Sequence, residues 1–104
     1  MLRCLWSIGS AVAISQVFTA FAFPAPVTTA DLSGKKICWD YGLISTFFPG
    51  GKYYANMAGN GTWRVTSVGV EIRAEHYNGI YDIDQQPDGT LKSATKHSSG
   101  RYCK

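Results

Sequence analysis

From Lys35 onward, apolar and polar residues change places every position or two, and the runs are short. Residues 62–67 put Trp63 and Val65 on one side and Thr62, Arg64 and Thr66 on the other. Residues 70–76 repeat the pattern, with Val70, Ile72 and Ala74 against Glu71, Arg73 and Glu75. Period-two alternation makes a strand with one dry face and one wet face. In residues 52–57 the same spacing aligns Tyr53, Ala55 and Met57. Residues 35–39, 44–48, 80–85, 90–93 and 101–103 complete the predicted strands.

Turn residues separate these runs. Gly34, Gly42, Pro49-Gly50-Gly51, Gly59-Asn60-Gly61, Gly69, Asn78-Gly79, Pro87-Asp88-Gly89 and Gly100 recur at intervals of roughly eight to ten residues, the spacing of an antiparallel meander. Asn78-Gly79 predicts a type I′ hairpin, whose two central residues need positive φ. Residues 93–100 read as a polar loop, and no run carries a helical period. One-sided strands joined by short turns must share a single apolar face, and a short chain achieves this by curling its sheet. The predicted fold is all-β: a small antiparallel meander closing into a barrel or half-barrel.

The first thirty residues follow a different pattern. Arg3 is the only charge before Asp31, and an apolar stretch runs from Leu5 to Phe23. Ala20-Phe21-Ala22 and Thr28-Thr29-Ala30 both have the small-residue spacing of a signal-peptidase exit. Residues 1–30 are therefore predicted to be a signal helix and short leader, cleaved after Ala22 or Ala30. Residues 31–104 form one small β domain, secreted or periplasmic, with no stable membrane span after cleavage. The competing reading is a retained anchor, since a span needs roughly 20 apolar residues. Ser7, Ser10, Ser15, Gln16 and Thr19 dilute the stretch and favour cleavage. Cys4 leaves with the leader.

A domain this small buries only about 60% of its unfolded surface and is marginal without reinforcement. Aromatic mass supplies one kind: Trp39, Tyr41, Phe47, Phe48, Tyr53, Tyr54, Trp63, Tyr77, Tyr81 and Tyr102. Sulfur supplies another. With Cys4 removed, Cys38 and Cys103 have one intramolecular pairing open to them, and an exported domain favours it. The bridge closes a loop of about 65 residues, worth roughly 4 kcal/mol in the chain-entropy model. It ties the first predicted strand to the last and so favours a closed barrel.

Charge adds less. Ten Lys and Arg face seven Asp and Glu, a net charge of +3 that includes Arg3. All seven acids lie at or before Asp88. Lys92, Lys96, Arg101 and Lys104 follow it, and form a candidate basic face for an anionic surface. So small an excess on an exported chain argues against nucleic acid as a partner.

The residues of chemistry are sparse. His76 and His97 are the two histidines, and no serine sits in a Gly-x-Ser-x-Gly elbow. Glu71 and Glu75 flank Arg73 on one strand face, as in surface ion pairing. Asp82-Ile83-Asp84 with Asp88 departs from a calcium loop, with Pro87 where glycine is needed and no closing glutamate. The expectation is no enzyme, no metal and no cofactor. Asn60-Gly61-Thr62 is a glycosylation sequon, read here as a hairpin turn entering a strand. The adjacent pairs Phe47-Phe48 and Tyr53-Tyr54 are more informative. Strand neighbours point to opposite faces, so one member of each pair leaves the dry side. Phe48 and Tyr54 become a candidate aromatic platform, for stacking on a glycan or packing on a protein of the cell envelope.

Gly34-Lys35-Lys36-Ile37-Cys38-Trp39 and Gly100-Arg101-Tyr102-Cys103-Lys104 resemble the two ends of small exported β-domains of proteobacteria. At fold level the chain is similar to the periplasmic C-type lysozyme inhibitors, small barrels with a bridge linking the ends of the sheet. That family's Ser-Gly-x-x-Tyr segment has its nearest counterpart in Ser99-Gly100-Arg101-Tyr102, one residue short, and its second motif, Lys-Gly near an Ala, is absent. The resemblance implies the fold and not the inhibitory contacts. The predicted function is an exported, non-catalytic binding or interaction module; the alternative is an inhibitor of a cell-wall hydrolase.

Overall fold

The structure is a computed structural model that describes residues 23–104. The predicted signal helix and Cys4 lie outside the described residues. The chain forms a ten-stranded antiparallel sheet curled into a half-barrel. Its strands are β1 (Ala25–Pro26), β2 (Lys35–Trp39), β3 (Ile44–Phe47), β4 (Lys52–Ala55) and β5 (Gly59–Thr66), followed by β6 (Gly69–Ala74), β7 (Tyr77–Tyr81), β8 (Ile83–Gln85), β9 (Leu91–Ser93) and β10 (Ser98–Cys103). One turn of helix, α1 (Thr29–Leu32), precedes β2. The strand order is β1-β8-β9-β10-β2-β3-β4-β5-β6-β7.

That order holds two meanders. β2 to β7 pair in sequence, and so do β8 to β10, with β1 added beside β8. Among the described residues, the β10–β2 pairing is the one ladder that joins them, with Gly100 opposite Trp39 and Cys103 opposite Lys36. Cys38 and Cys103 bridge the two strands, their Cα atoms 6.0 Å apart. The bridge therefore lies in the interior of the sheet rather than at its margins. The free edges are β1 and β7. A link between first and last predicted strands had favoured full closure; those strands are already neighbours, so the bridge reinforces a seam and leaves a half-barrel.

Alternation sorts the side chains as the pattern requires. β4 sends Tyr53 and Ala55 inward and Lys52 and Tyr54 outward. The core holds Ile37, Trp39, Phe47, Tyr53, Trp63, Val70, Ile72, Tyr81, Ile83 and Leu91, all buried. Phe47 meets Tyr53 and Trp63 edge to face at 5.3 and 5.4 Å, an arrangement worth about 0.5–1.5 kcal/mol per pair beyond area burial. The Tyr53 hydroxyl bonds Ser45 Oγ at 3.0 Å and so satisfies two polar groups inside the core. Gly100 is buried because the Trp39 ring lies over it; a Cβ there would come within 2.8 Å of the indole.

Four local expectations fail. Asn78-Gly79 is not the hairpin turn: β6 and β7 turn at Glu75-His76, and Asn78 and Gly79 pair with Arg73 and Ile72 inside the ladder. This register sets Tyr77 and Tyr81 opposite Ala74 and Val70 on the inner side. A turn at 78–79 would instead set Gln85 opposite Ile72. Gly79 leaves space for the Tyr77 ring, whose hydroxyl would lie 2.5 Å from a Cβ. Residues 80–85 are not one strand either. The chain breaks at Asp82, where it leaves β6 and joins β9. Finally, Asn60 and Gly61 lie within β5 and the real turn precedes Gly59; the predicted 93–100 loop shrinks to residues 94–97, with β10 starting at Ser98.

α1 was absent from the sequence reading. Its signal is a capping box: Thr28 Oγ1 accepts from Asp31 N–H at 3.2 Å, and the Asp31 carboxylate accepts from Thr28 N–H at 2.9 Å. The turn buries Leu32 completely. Both β1 and α1 lie ahead of Asp31 or across it. An exit after Ala22 keeps them whole, whereas an exit after Ala30 divides α1.

Replacing Cys38 and Cys103 with Ser is expected to lower the unfolding free energy by up to about 4 kcal/mol, the loop-closure contribution of the bridge. Urea unfolding of the oxidised chain and the double variant measures it; equal stabilities would show the seam holds without sulfur.

Candidate functional site

Two surfaces concentrate recognition chemistry. The first is the outer face of β2 to β6. Strand register arranges its side chains in rows. Lys36, Thr46, Tyr54 and Asn60 form one row across β2, β3, β4 and β5. Phe48 donates its N–H to Lys52 O at 2.8 Å, so the next row runs Phe48, Lys52, Thr62, Arg73. Phe48 is 45% exposed and Tyr54 43%. Both are therefore available as outward aromatic faces on adjacent rows, one residue pair (about 7 Å) apart along the strands. Phe48 is held from behind, because its carbonyl accepts from Trp63 Nε1 at 3.0 Å. Gly50 and Gly51, with φ of 87° and 89°, make the tight corner that follows.

Three cations on this face escaped the sequence reading as a group: Lys52, Arg64 and Arg73. All three are exposed. Their signal was the alternation itself, which assigns them the same side as Phe48 and Tyr54. Glu71 stands between the arginines and binds both, with Arg73 Nη2 at 2.8 Å. The hydrogen bond from Arg64 is the main reason its carboxyl titrates below the ordinary value, and Arg73 adds to this. Glu75, expected beside it, turns to accept from Asn60 N–H at 3.0 Å.

The basic C-terminal face divides. Lys92 and Arg101 share the outer side of β9 and β10. Lys104 follows β10 at the far end of the seam. Lys96 sits in the 94–97 turn, and its ammonium lies 5.2 Å from the ring centres of both Tyr77 and Tyr81. Ser99-Gly100-Arg101-Tyr102 runs within β10, with Gly100 covered by Trp39 and the Tyr102 hydroxyl donating to Gln85.

The second surface is a cleft of about 170 Å³ lined by Tyr41, Leu43, Tyr53, Met57, His76, Tyr77 and Tyr81, among others. It lies at the end of the half-barrel where the β2–β3, β4–β5 and β6–β7 turns meet. The register of β10 on β2 brings the 94–97 turn to the same end. Tyr77 and Tyr81 pack edge to face at 5.3 Å, and Tyr81 and Tyr41 share a hydroxyl–hydroxyl bond of 3.3 Å. Burial raises the Tyr81 phenol far above its usual value, and the bond to Tyr41 adds to it; burial likewise raises Tyr53. Both phenols stay protonated and can donate. Sequence alone assigns these aromatics to core mass, and no spacing shows that Tyr41 of the β2–β3 turn meets Tyr53 of β4 and Tyr77 and Tyr81 of β7.

The remaining polar residues serve the fold. Desolvation pushes Asp82 upward, but hydrogen bonds from Ser93 Oγ at 2.8 Å and Thr95 N–H at 3.1 Å outweigh it, and its carboxyl titrates below the ordinary 3.8. With Ala94 N–H at 3.0 Å as well, this carboxylate staples the turn that carries Lys96. Asp88 caps its own turn by accepting from Thr90. Among the described residues, no three His, Cys, Asp or Glu side chains gather as a metal site, and no helix is long and apolar enough to cross a membrane. Comparison with protein families, curated proteins and solved structures returns no significant match.

A depressed folded-state carboxylate stabilises above its unfolded pKa and loses that contribution as pH falls through the folded value. Asp82→Asn is therefore expected to cost about 1 kcal/mol at neutral pH, and nothing once the wild-type carboxyl is protonated. Urea midpoints of both proteins, followed from neutral pH into the carboxylate range, should converge on acidification; parallel curves would show that Asp82 carries no charge-dependent staple.

Proposed function

We propose that the chain is an exported, non-catalytic module that binds a component of the cell envelope through the outer face of β3 to β6, after leader cleavage at Ala22. One observation carries the reading: Phe48 and Tyr54 are exposed on adjacent rows, with Lys52 next to Phe48 and Arg73 two strands further along the same row. Large aromatics on a wet sheet face lose hydration favourably when a partner covers them, and rigid rings lose little side-chain entropy in doing so. The surrounding cations favour an anionic partner and speed encounter with it. The Cys38–Cys103 bridge and the lack of a membrane-crossing helix among the described residues are compatible with export.

The bridged chain beginning at Phe23 is expected to co-sediment with purified insoluble envelope polymer, with binding that weakens as salt rises. Phe48→Ala and Tyr54→Ala should each weaken it by about tenfold, or 1.4 kcal/mol. Retention no greater than that of an unrelated basic protein, or unchanged retention in the double variant, contradicts the proposal. Stoichiometric inhibition of a purified lysozyme, unaffected by the two variants, would favour the inhibitor alternative.

A further inference from the structure

We infer that the chain forms a two-fold dimer by pairing the free edge of β7 with the same edge of a second copy. The inference goes beyond the outer-face reading and does not depend on it. The two margins of the sheet differ in kind. β1 is two residues long and contains Pro26, which has no N–H to offer a ladder. Proteins guard their sheet edges with such short strands, with prolines and with lysines. β7 has five residues, Tyr77-Asn78-Gly79-Ile80-Tyr81, and carries neither charge nor proline. β6 is its one strand neighbour among the described residues. Lys96 lies over the inward Tyr77 and Tyr81 rings, but it belongs to the 94–97 turn and not to the strand.

Ladder alternation fixes which backbone groups of β7 are free. Glu75 donates its N–H to Asn60 O at 3.1 Å, so Gly69, Glu71 and Arg73 bond β5, and Val70, Ile72 and Ala74 turn to β7. Their partners are Tyr81, Gly79 and Tyr77. The N–H and C=O groups of Asn78 and Ile80 therefore point away from the sheet. The strand reads almost the same in both directions about Gly79. Laid antiparallel on its copy with Gly79 on the two-fold axis, Asn78 meets the partner's Ile80 and exchanges two backbone hydrogen bonds with it. Symmetry repeats the pair, and all the outward groups are satisfied at once. Gly79 meets the partner's Gly79 at the close, non-hydrogen-bonded spacing, about 4.5 Å between Cα atoms. Ile80, 44% exposed on the wet face, is covered by the partner's Asn78. The nearest charges along that row are Glu71 and the partner's Arg73, opposite in sign. Any extended peptide offers backbone partners to this edge; the match about Gly79 and the opposed charges favour a second copy. Two such short strands make a contact below the roughly 1,200 Å² of stable interfaces, so the dimer is expected at roughly 100 µM and above.

Sedimentation velocity of the bridged chain beginning at Phe23, from roughly 10 µM to 1 mM, tests this. Mass is expected to rise from monomer to dimer and stop there, because two-fold pairing consumes the edge. Over the same range, amide exchange followed by NMR should slow at Asn78 and Ile80. Ile80→Lys, at an exposed position, sets a lysine on the edge and should weaken association by about tenfold. Phe48→Ala and Tyr54→Ala should leave it unchanged, so failure here and failure of the outer-face reading are distinguishable. A monomer at every concentration, association that grows beyond two copies, a dimer whose Asn78 and Ile80 amides exchange as fast as in the monomer, or a dimer that Ile80→Lys leaves intact overturns the inference.

Discussion

The ladder between β2 and β10 holds the molecule together. Every other strand pairing joins near neighbours in sequence or adds the N-terminal β1 to β8. Remove the seam and two meanders remain, residues 35–81 with six strands and residues 83–103 with three, the second too small to cover its own dry face. Local hairpins form easily, whereas the seam must close a long loop against chain entropy before it returns any contact. The Cys38–Cys103 bridge meets that cost in the unfolded chain, and Trp39 packed over Gly100 meets it in the folded one. Sulfur and indole act on the same pair of strands, one on the outer face and one on the inner.

What the seam positions follows from strand direction. With β10 antiparallel to β2, the 94–97 turn arrives at the end already occupied by the β2–β3, β4–β5 and β6–β7 turns. Lys96 can then lie over Tyr77 and Tyr81, residues of the other meander. The cleft is thus a product of long-range closure. The outer face depends on it less: Phe48, Lys52, Tyr54 and Arg73 all belong to the first meander and are aligned by local register. The two surfaces therefore have different sensitivities to reduction.

The fold class was legible because alternation is a local property. Trp63, Val65, Val70 and Ile72 alternate with charged or hydroxylated residues, and only a one-sided strand accommodates that. The outward aromatics were legible for the same reason. What escaped was register. Asn78-Gly79 carries strong local turn chemistry, yet burial of Tyr77 and Tyr81 outweighs it, and Gly79 is used for its missing side chain instead. Asp82 looked like part of a strand because its role, capping a turn eleven residues away, cannot be seen in its neighbours. The cleft was invisible because no sequence spacing relates Tyr41, Tyr53, Tyr77 and Lys96. Only the topology does.

The β2–β10 seam and its sulfur couple two otherwise separable meanders. Amide hydrogen exchange of the chain, oxidised and reduced, addresses it directly. In the oxidised protein the β2, β9 and β10 amides should exchange only through global unfolding. After reduction, β8 to β10 should open as a unit while β4 to β6 keep their protection. Protection in β8 to β10 that reduction leaves unchanged, or that is lost only together with β4 to β6, would contradict this coupling.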